Sequence, residues 1–202
     1  MNCHSLRSIL LLLTSLIFVG RADCSVTDDA QKQLKTWVDQ VVDVASHAPD
    51  REVLRTKVRP ILENCINFDS MTRRAVGPGW RQFTPDQQRE AIRLFTTLII
   101  RTYTAKFTPG EVPSTTYKGS FSTTPGRVEI TTSSLYKGSH YDIVYRLEQG
   151  STANTQRWRI TDIVIEGVSM VANYRTQFDS EFQQGGAASV IKSLTHSVND
   201  PK

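Results

Sequence analysis

The first half of the chain repeats apolar residues every three or four positions, which is the spacing of one face of a helix. The repeat predicts a helix over residues 27–47, capped by Thr27 or Asp28, and a second over residues 50–66 that Pro60 kinks or divides. Asp69 is expected to cap a short third helix that ends at Gly77.

A fourth helix has the clearest start signal. Thr84, Pro85 and Gln87 match a capping box with proline at the first helical position. The helix that they begin is expected to run to about Phe107, and its apolar residues cover more than one face. Such a helix has neighbours on several sides.

The second half of the chain changes to alternating apolar and polar positions, the pattern of strands with one buried face. The predicted strands cover residues 115–121, 127–134, 141–147 and 157–165. Short turns between them indicate an antiparallel meander, and helical spacing returns over residues 169–184 and 187–197, around Gly185-Gly186. The predicted fold class is α+β, with several helices packed on a curved antiparallel sheet of about four strands.

The N-terminus has the composition of an export signal. Residues 9–19 are almost continuously apolar, Arg7 precedes them, and Gly20-Arg21-Ala22 offers a small-x-small cleavage site. We predict that residues 1–22 are a cleaved signal peptide and that residues 23–202 form a single domain; an uncleaved anchor is the alternative. Removing two arginines lowers the formal charge from +4 to +2, an excess too small to indicate nucleic acid.

Motifs of catalysis and metal binding are missing from the sequence. It contains no Walker A, GxGxxG, HExxH or CxxC pattern, and its four histidines are scattered. Ser169 is interpreted as a helix N-cap rather than a nucleophile. Cys24 and Cys65 can form a disulfide in an oxidising compartment, or Cys65 is simply a small buried residue.

The segment IVIEGVSMVANYRTQF (163–178) joins a strand end that is apolar at every position to an apolar helix face. Together with the fourth helix it supplies more inward-facing apolar surface than a plain helix-on-sheet domain needs. Pattern alone favours a solid core, and the alternative is a ligand cavity between sheet and helices.

Several segments resemble the MlaC family, the periplasmic phospholipid-binding proteins of an intermembrane lipid-transport system, also called toluene-tolerance auxiliary proteins. The likeness extends over nearly all of the mature chain and is carried by IVIEGVSMVANYRTQF, FDSMTRRAVGPGWRQFTPDQQ and RTYTAKF. One departure is Pro78-Gly79, which replaces a bulkier pair in the family. A hopanoid-linked branch also resembles the chain at VGPGW and TYTAKF.

The resemblance implies a soluble, monomeric periplasmic carrier that maintains outer-membrane lipid asymmetry and has no catalytic activity, cofactor or metal. Its cargo would be phospholipid, and its partners an outer-membrane lipoprotein complex and an inner-membrane ABC transporter with its substrate-binding ring. The acyl chains would occupy an apolar cavity lined by Trp80, Phe95, Leu98, Ile99, Tyr103, Tyr145, Leu147, Val164, Ile165, Val168, Val171, Tyr174 and Phe178. The headgroup candidates are Arg81, Arg101, Arg146 and Arg175.

Three other functions stay open at this stage. The domain can be a purely structural interaction domain, with a solid core and an exposed apolar patch. The cargo can be a hopanoid-type polycyclic lipid instead of phospholipid. Alternatively, the domain is a small-ligand enzyme in which Asp162 and Tyr145 act as an acid–base pair in a cone-shaped pocket, which would require a carboxyl group with a raised pKa.

Overall fold

The computed structural model describes residues 20–152 and 155–199. The helices are α1 (Gly20–His47), α2 (Arg51–Cys65), α3 (Phe68–Val76), a short 3₁₀ helix (Gly77–Gln82), α4 (Pro85–Thr104) and α5 (Met170–Asn199). The strands are β1 (Ser114–Thr124), β2 (Arg127–Tyr136), β3 (Ser139–Thr152), β4 (Thr155–Ile165) and β5 (Val168–Ser169). Within the described residues, no helix combines the length and apolar character needed to cross a membrane.

The five strands form one curved sheet in sequence order, and every neighbouring pair is antiparallel. The predicted α+β class and the four-strand meander are confirmed. The two-residue β5, which follows the turn at Gly167, adds a fifth strand that the sequence pattern did not predict.

A β-bulge in β4 changes which of its residues face the helices. Leu147 of β3 lies opposite Ile160, but Tyr145, two residues earlier, lies opposite Ile163, three residues later. The extra residue, Thr161, reverses the alternation from that point on. Ile160 and Ile163 therefore both point to the inner face of the sheet, and the residue between Thr161 and Ile163 points to the outer face.

Side-chain caps begin α2, α3 and α4. Asp50 accepts from the backbone N–H of Val53 at the start of α2, and Thr84 and Gln87 form the predicted capping box at the start of α4. The expected cap at Asp69 is wrong. Asn67 caps α3 instead, because its carboxamide oxygen accepts from Ser70 N at 3.0 Å.

The expected start of the first helix is also wrong. α1 does not begin at Thr27 or Asp28 but runs through them from Gly20, so neither residue is an N-cap. Pro60 does not divide α2, which is continuous from Arg51 to Cys65, and the alternative of a kink at Pro60 stays a prediction. The predicted signal peptide lies outside the described residues over positions 1–19, and its last three residues fall within α1.

The predicted stop at Gly185-Gly186 is confirmed as a break within α5. Gly185 has φ −163° and Gly186 has φ 61° and ψ −150°, so neither residue is helical. The break changes the direction of the helix, and Val190 and Leu194 in its second part are buried in the core.

The main core lies between the helices and the inner face of the sheet. It combines residues of every helix with Val128, Ile130, Leu147, Trp158 and Ile160 of the sheet. A smaller cluster packs α1 on α2 around Leu54 and Val58. The layer between helices and sheet is thus the place where the apolar surface of the chain is concentrated.

Candidate functional site

An aromatic cluster joins α4 and α5 within the main core. The Phe95 ring meets Tyr174 edge-on, with centroids 4.9 Å apart, and meets Phe178 at 5.7 Å. Phe95 is fully buried, whereas Tyr174 is half-buried. Of the thirteen residues predicted to line a cavity, ten belong to this core or pack against it: Trp80, Phe95, Leu98, Ile99, Tyr103, Tyr145, Leu147, Val171, Tyr174 and Phe178.

The other three predicted lining residues lie at the end of β4 and in β5. Val164 is buried but points to the outer face of the sheet, opposite Val144 and Ser169. Ile165 is half-buried and lies opposite Val168, which is 59% exposed. Val168 and Ile165 share the inner face with Ile163, so this end of the apolar layer reaches solvent.

The sheet extends this exposed apolar edge beyond Val168. Ile143 lies opposite Ile165, and Tyr141, two residues away on the same face, is 39% exposed. We call the set Tyr141, Ile143, Ile165 and Val168 the apolar edge. Its two exposed members, Tyr141 and Val168, bring this part of the inner face into contact with solvent.

Asp162 links the end of β4 to the start of α5 through hydrogen bonds. Its carboxylate accepts hydrogen bonds from Arg146 Nη1 at 3.0 Å, Ser169 Oγ at 2.6 Å and Val171 N at 3.1 Å. Ser169 Oγ in turn accepts from Ala172 N at 3.0 Å, which confirms Ser169 as an N-cap. These hydrogen bonds therefore fix the direction in which α5 leaves the sheet.

The acid–base pair considered from the sequence is not assembled. Asp162 lies on the outer face of the sheet, where it is paired with Arg146. Tyr145 lies on the inner face, among the core residues, and burial raises the pKa of its hydroxyl. The bulge at Thr161 separates the two side chains, because without it Asp162 would have faced inward.

The four headgroup candidates lie in different environments. Arg81 is exposed on the 3₁₀ helix. Arg101 donates to the carbonyl of Val198, and Arg146 is paired with both Glu129 and Asp162 on the outer face of the sheet. The fourth, Arg175, donates from Nη1 to the carbonyl of Arg74 at 3.1 Å. Their role in binding a headgroup stays a prediction.

Close packing against α5 explains the two glycines of the segment GPGW in the 3₁₀ helix. A Cβ on Gly77 would lie 2.6 Å from the Arg175 guanidinium, and a Cβ on Gly79 would lie 2.9 Å from the Phe182 ring. Gly77 also has a positive φ of 70°. Both glycines allow α5 to pack closely against this segment, next to the stacked ring of Trp80.

Two buried groups, the Tyr117 hydroxyl and the Cys65 thiol, keep their protons at neutral pH. The Tyr117 hydroxyl has no hydrogen-bond partner among the described residues, and burial raises its pKa to about 12. Burial also raises the pKa of Cys65 to about 12. Cys65 is a free, buried thiol, as the simpler of its two interpretations expected, and the side chain of Cys24 lies outside the described residues.

The cavity lining predicted from the sequence omitted several residues that face the core. Val128, Ile130 and Tyr117 were assigned to strands but not to the candidate lining, although all three face the helices or pack against the core. The alternation in β2 was the signal that could have found Val128 and Ile130. Across the described residues, no group of three or more His, Cys, Asp or Glu is arranged to hold a metal ion.

The comparisons with known proteins agree with this architecture. Residues 29–196 match the MlaC protein family, and the chain belongs to that family. A solved structure with the same fold is a phospholipid-binding protein from Ralstonia solanacearum, determined in complex with a phospholipid. It has a TM-score of 0.76 and 24% sequence identity, and the match covers 84% of this chain and 96% of the other. No protein with curated annotation matches significantly.

Proposed function

We propose that the chain is a periplasmic phospholipid carrier, which holds acyl chains between the sheet and the helices and passes lipid between membrane complexes. Membership of the MlaC family is the observation that carries this proposal. It is supported by the phospholipid bound to the Ralstonia protein of the same fold. The aromatic interior of this chain, which reaches solvent at the apolar edge, offers acyl chains a place to enter.

Simple energetics explain why such a carrier would work with partners. Each methylene removed from water contributes about 0.8 kcal/mol, so two chains of about 15 carbons gain on the order of 20 kcal/mol. Release into water would be very slow, because this is near the ceiling for non-covalent binding. A membrane or a second apolar cavity offers the tails a similar environment, so transfer requires docking rather than dissociation into water.

The proposed location and partners follow from the predicted signal peptide and the family. Export through residues 1–22 would place the monomeric domain between the two membranes. There it would exchange phospholipid with an outer-membrane lipoprotein complex and with an inner-membrane ABC transporter and its substrate-binding ring. The geometry gives Asp162 a structural role, which supports a carrier rather than an enzyme.

The first experiment is to extract the purified, folded mature protein with organic solvent and to identify the lipids by mass spectrometry. Stoichiometric phospholipid is the expected result, and its headgroup distribution would define the preference. Hopanoid in place of phospholipid would move the proposal to a polycyclic cargo. A protein that contains no lipid and takes none up from vesicles would overturn it.

A further inference from the structure

A cleft of about 330 Å³ lies where α2, the start of α3, α4 and β4 meet. Three arginines from three different elements line it: Arg59 of α2, Arg93 of α4 and Arg159 of β4. We call it the arginine cleft. None of the thirteen predicted cavity residues and none of the four headgroup candidates contributes to its lining.

Arg159 has a cationic charge that no carboxylate balances. Its Nη2 donates to two neutral carbonyl oxygens, those of Glu63 at 3.0 Å and Ile66 at 2.6 Å. Its Nε is buried without a hydrogen-bond partner, and no acidic side chain of residues 20–152 and 155–199 lies within ion-pair distance. Partial burial, with a smaller effect from Arg157, lowers the pKa of Arg159. A partly buried guanidinium in this state is stabilised by an incoming anion.

The acidic groups around the cleft are already paired, so they do not cancel this charge. The ion pairs are Arg59 with Glu63 at 3.0 Å, Arg93 with Glu90 at 2.6 Å, and Arg73 with Asp69. Arg157, which lies nearby on β4, donates to the neutral side chain of Asn64 and adds a further positive charge. The potential in the cleft is therefore positive.

The cleft also borders the apolar core. Ile66 and Phe68 belong to its lining, are 2% and 6% exposed, and are members of the main core cluster. An amphiphile can therefore contact guanidinium groups and the edge of the core together. The N–H groups of the first turn of α3 add positive potential at the same place.

We infer that the arginine cleft is a phosphate-binding subsite, and that the phosphate it takes is that of a phospholipid headgroup. A planar guanidinium matches phosphate geometry, and the cleft gathers three of them beside apolar surface. The assignment to a headgroup, as distinct from free phosphate, rests on the proposed carrier function.

The test begins with inorganic phosphate. Lipid-free mature protein is titrated with it and followed by NMR of the arginine Nε–H groups, where the Arg159 signal is expected to shift and saturate. Arg93→Gln removes an exposed charge of the cleft, and we expect it to weaken phosphate binding about three- to fivefold. Arg89→Gln is the matched control: Arg89 also lies on α4 and pairs with an acid three residues earlier, but it does not line the cleft.

Uptake of phosphatidylglycerol from vesicles then identifies the source of the phosphate. Slower uptake by Arg93→Gln than by Arg89→Gln supports the headgroup assignment. Phosphate binding with unchanged lipid uptake, or with no lipid uptake by any variant, overturns it and leaves a site for free phosphate; the second result also removes the carrier function. No response to phosphate overturns the subsite, while normal lipid uptake in that protein leaves the carrier function standing.

Discussion

Gly79 is the residue whose lack of a side chain has the clearest steric reason. Its backbone lies directly under the Phe182 ring, and the φ of Gly79 is not in the left-handed region. A substitution there tests contact alone, without backbone strain. A larger residue at Gly79 would displace Phe182.

We therefore expect Gly79→Ala to lower the free energy of unfolding by about 1–3 kcal/mol, the usual cost of forcing an extra methyl group into a packed site. Gly119→Ala is the control, since a Cβ at Gly119 meets nothing within 4 Å. Urea denaturation measures both changes. In a Phe182→Ala background the loss at Gly79 should largely disappear, and an equal loss in both backgrounds would contradict the steric explanation.

The buried thiol of Cys65 predicts that the free energy of unfolding depends on pH. Its pKa in the folded protein is about 12, against 9.0 for an unperturbed thiol, and burial is the main cause. Above pH 9 the unfolded chain loses this proton before the folded protein does. The contribution of Cys65 to stability is therefore complete below pH 9 and falls as the pH rises toward 12.

The measurement is urea denaturation between pH 8 and pH 10.5, on protein with Cys24 replaced by serine and on the same protein with Cys65→Ala. The difference in unfolding free energy between the two should shrink above pH 9. The Cys65 thiol should also resist alkylation until the protein unfolds. Rapid alkylation of the native protein, or a pH-independent difference, would show that the thiol is not buried as described.

The elements were predictable wherever the local sequence determines them. The capping box at Thr84 and the alternation of β2 need no information from elsewhere in the chain. The bulge at Thr161 was not predictable, because it appears only in the register against β3. As a result, the candidate lining included Val164, whose side chain faces outward. A one-residue shift of register moves every later side chain to the other face.

The break in α5 predicts that backbone strain at Gly186 affects the stability of the protein. Gly186 has φ 61° and ψ −150°, a combination open almost only to glycine, and no atom lies within 4 Å of a Cβ built there. Gly186→Ala should lower the free energy of unfolding by about 1–3 kcal/mol through strain alone. Gly138→Ala is a useful comparison, because its φ of 78° is positive too and its surroundings are equally open. A Gly186→Ala protein as stable as wild type would show that the break tolerates ordinary residues.

At the scale of the whole molecule, some features of the candidate site could be predicted from the sequence, and others depend on how distant elements pack. Helical spacing identified the Phe95, Tyr174 and Phe178 cluster correctly as part of one apolar layer. The environment of each arginine could not be predicted, since pairing such as that of Arg146 with Asp162 depends on packing between distant elements. For the same reason the uncompensated charge of Arg159 has no signal in the sequence.

Val171 offers a test of lipid binding by the whole molecule. It is half-buried against the core at the start of α5, whereas the neighbouring Ala172 is exposed. Val171→Trp should fill part of the apolar layer and reduce co-purified phospholipid severalfold, and Ala172→Trp should leave the lipid content unchanged. Because a ligand stabilises the folded state that binds it, removing lipid should lower the melting temperature of wild type and of Ala172→Trp more than that of Val171→Trp. Equal lipid content and equal melting shifts in all three proteins would mean that the acyl chains do not lie beside Val171.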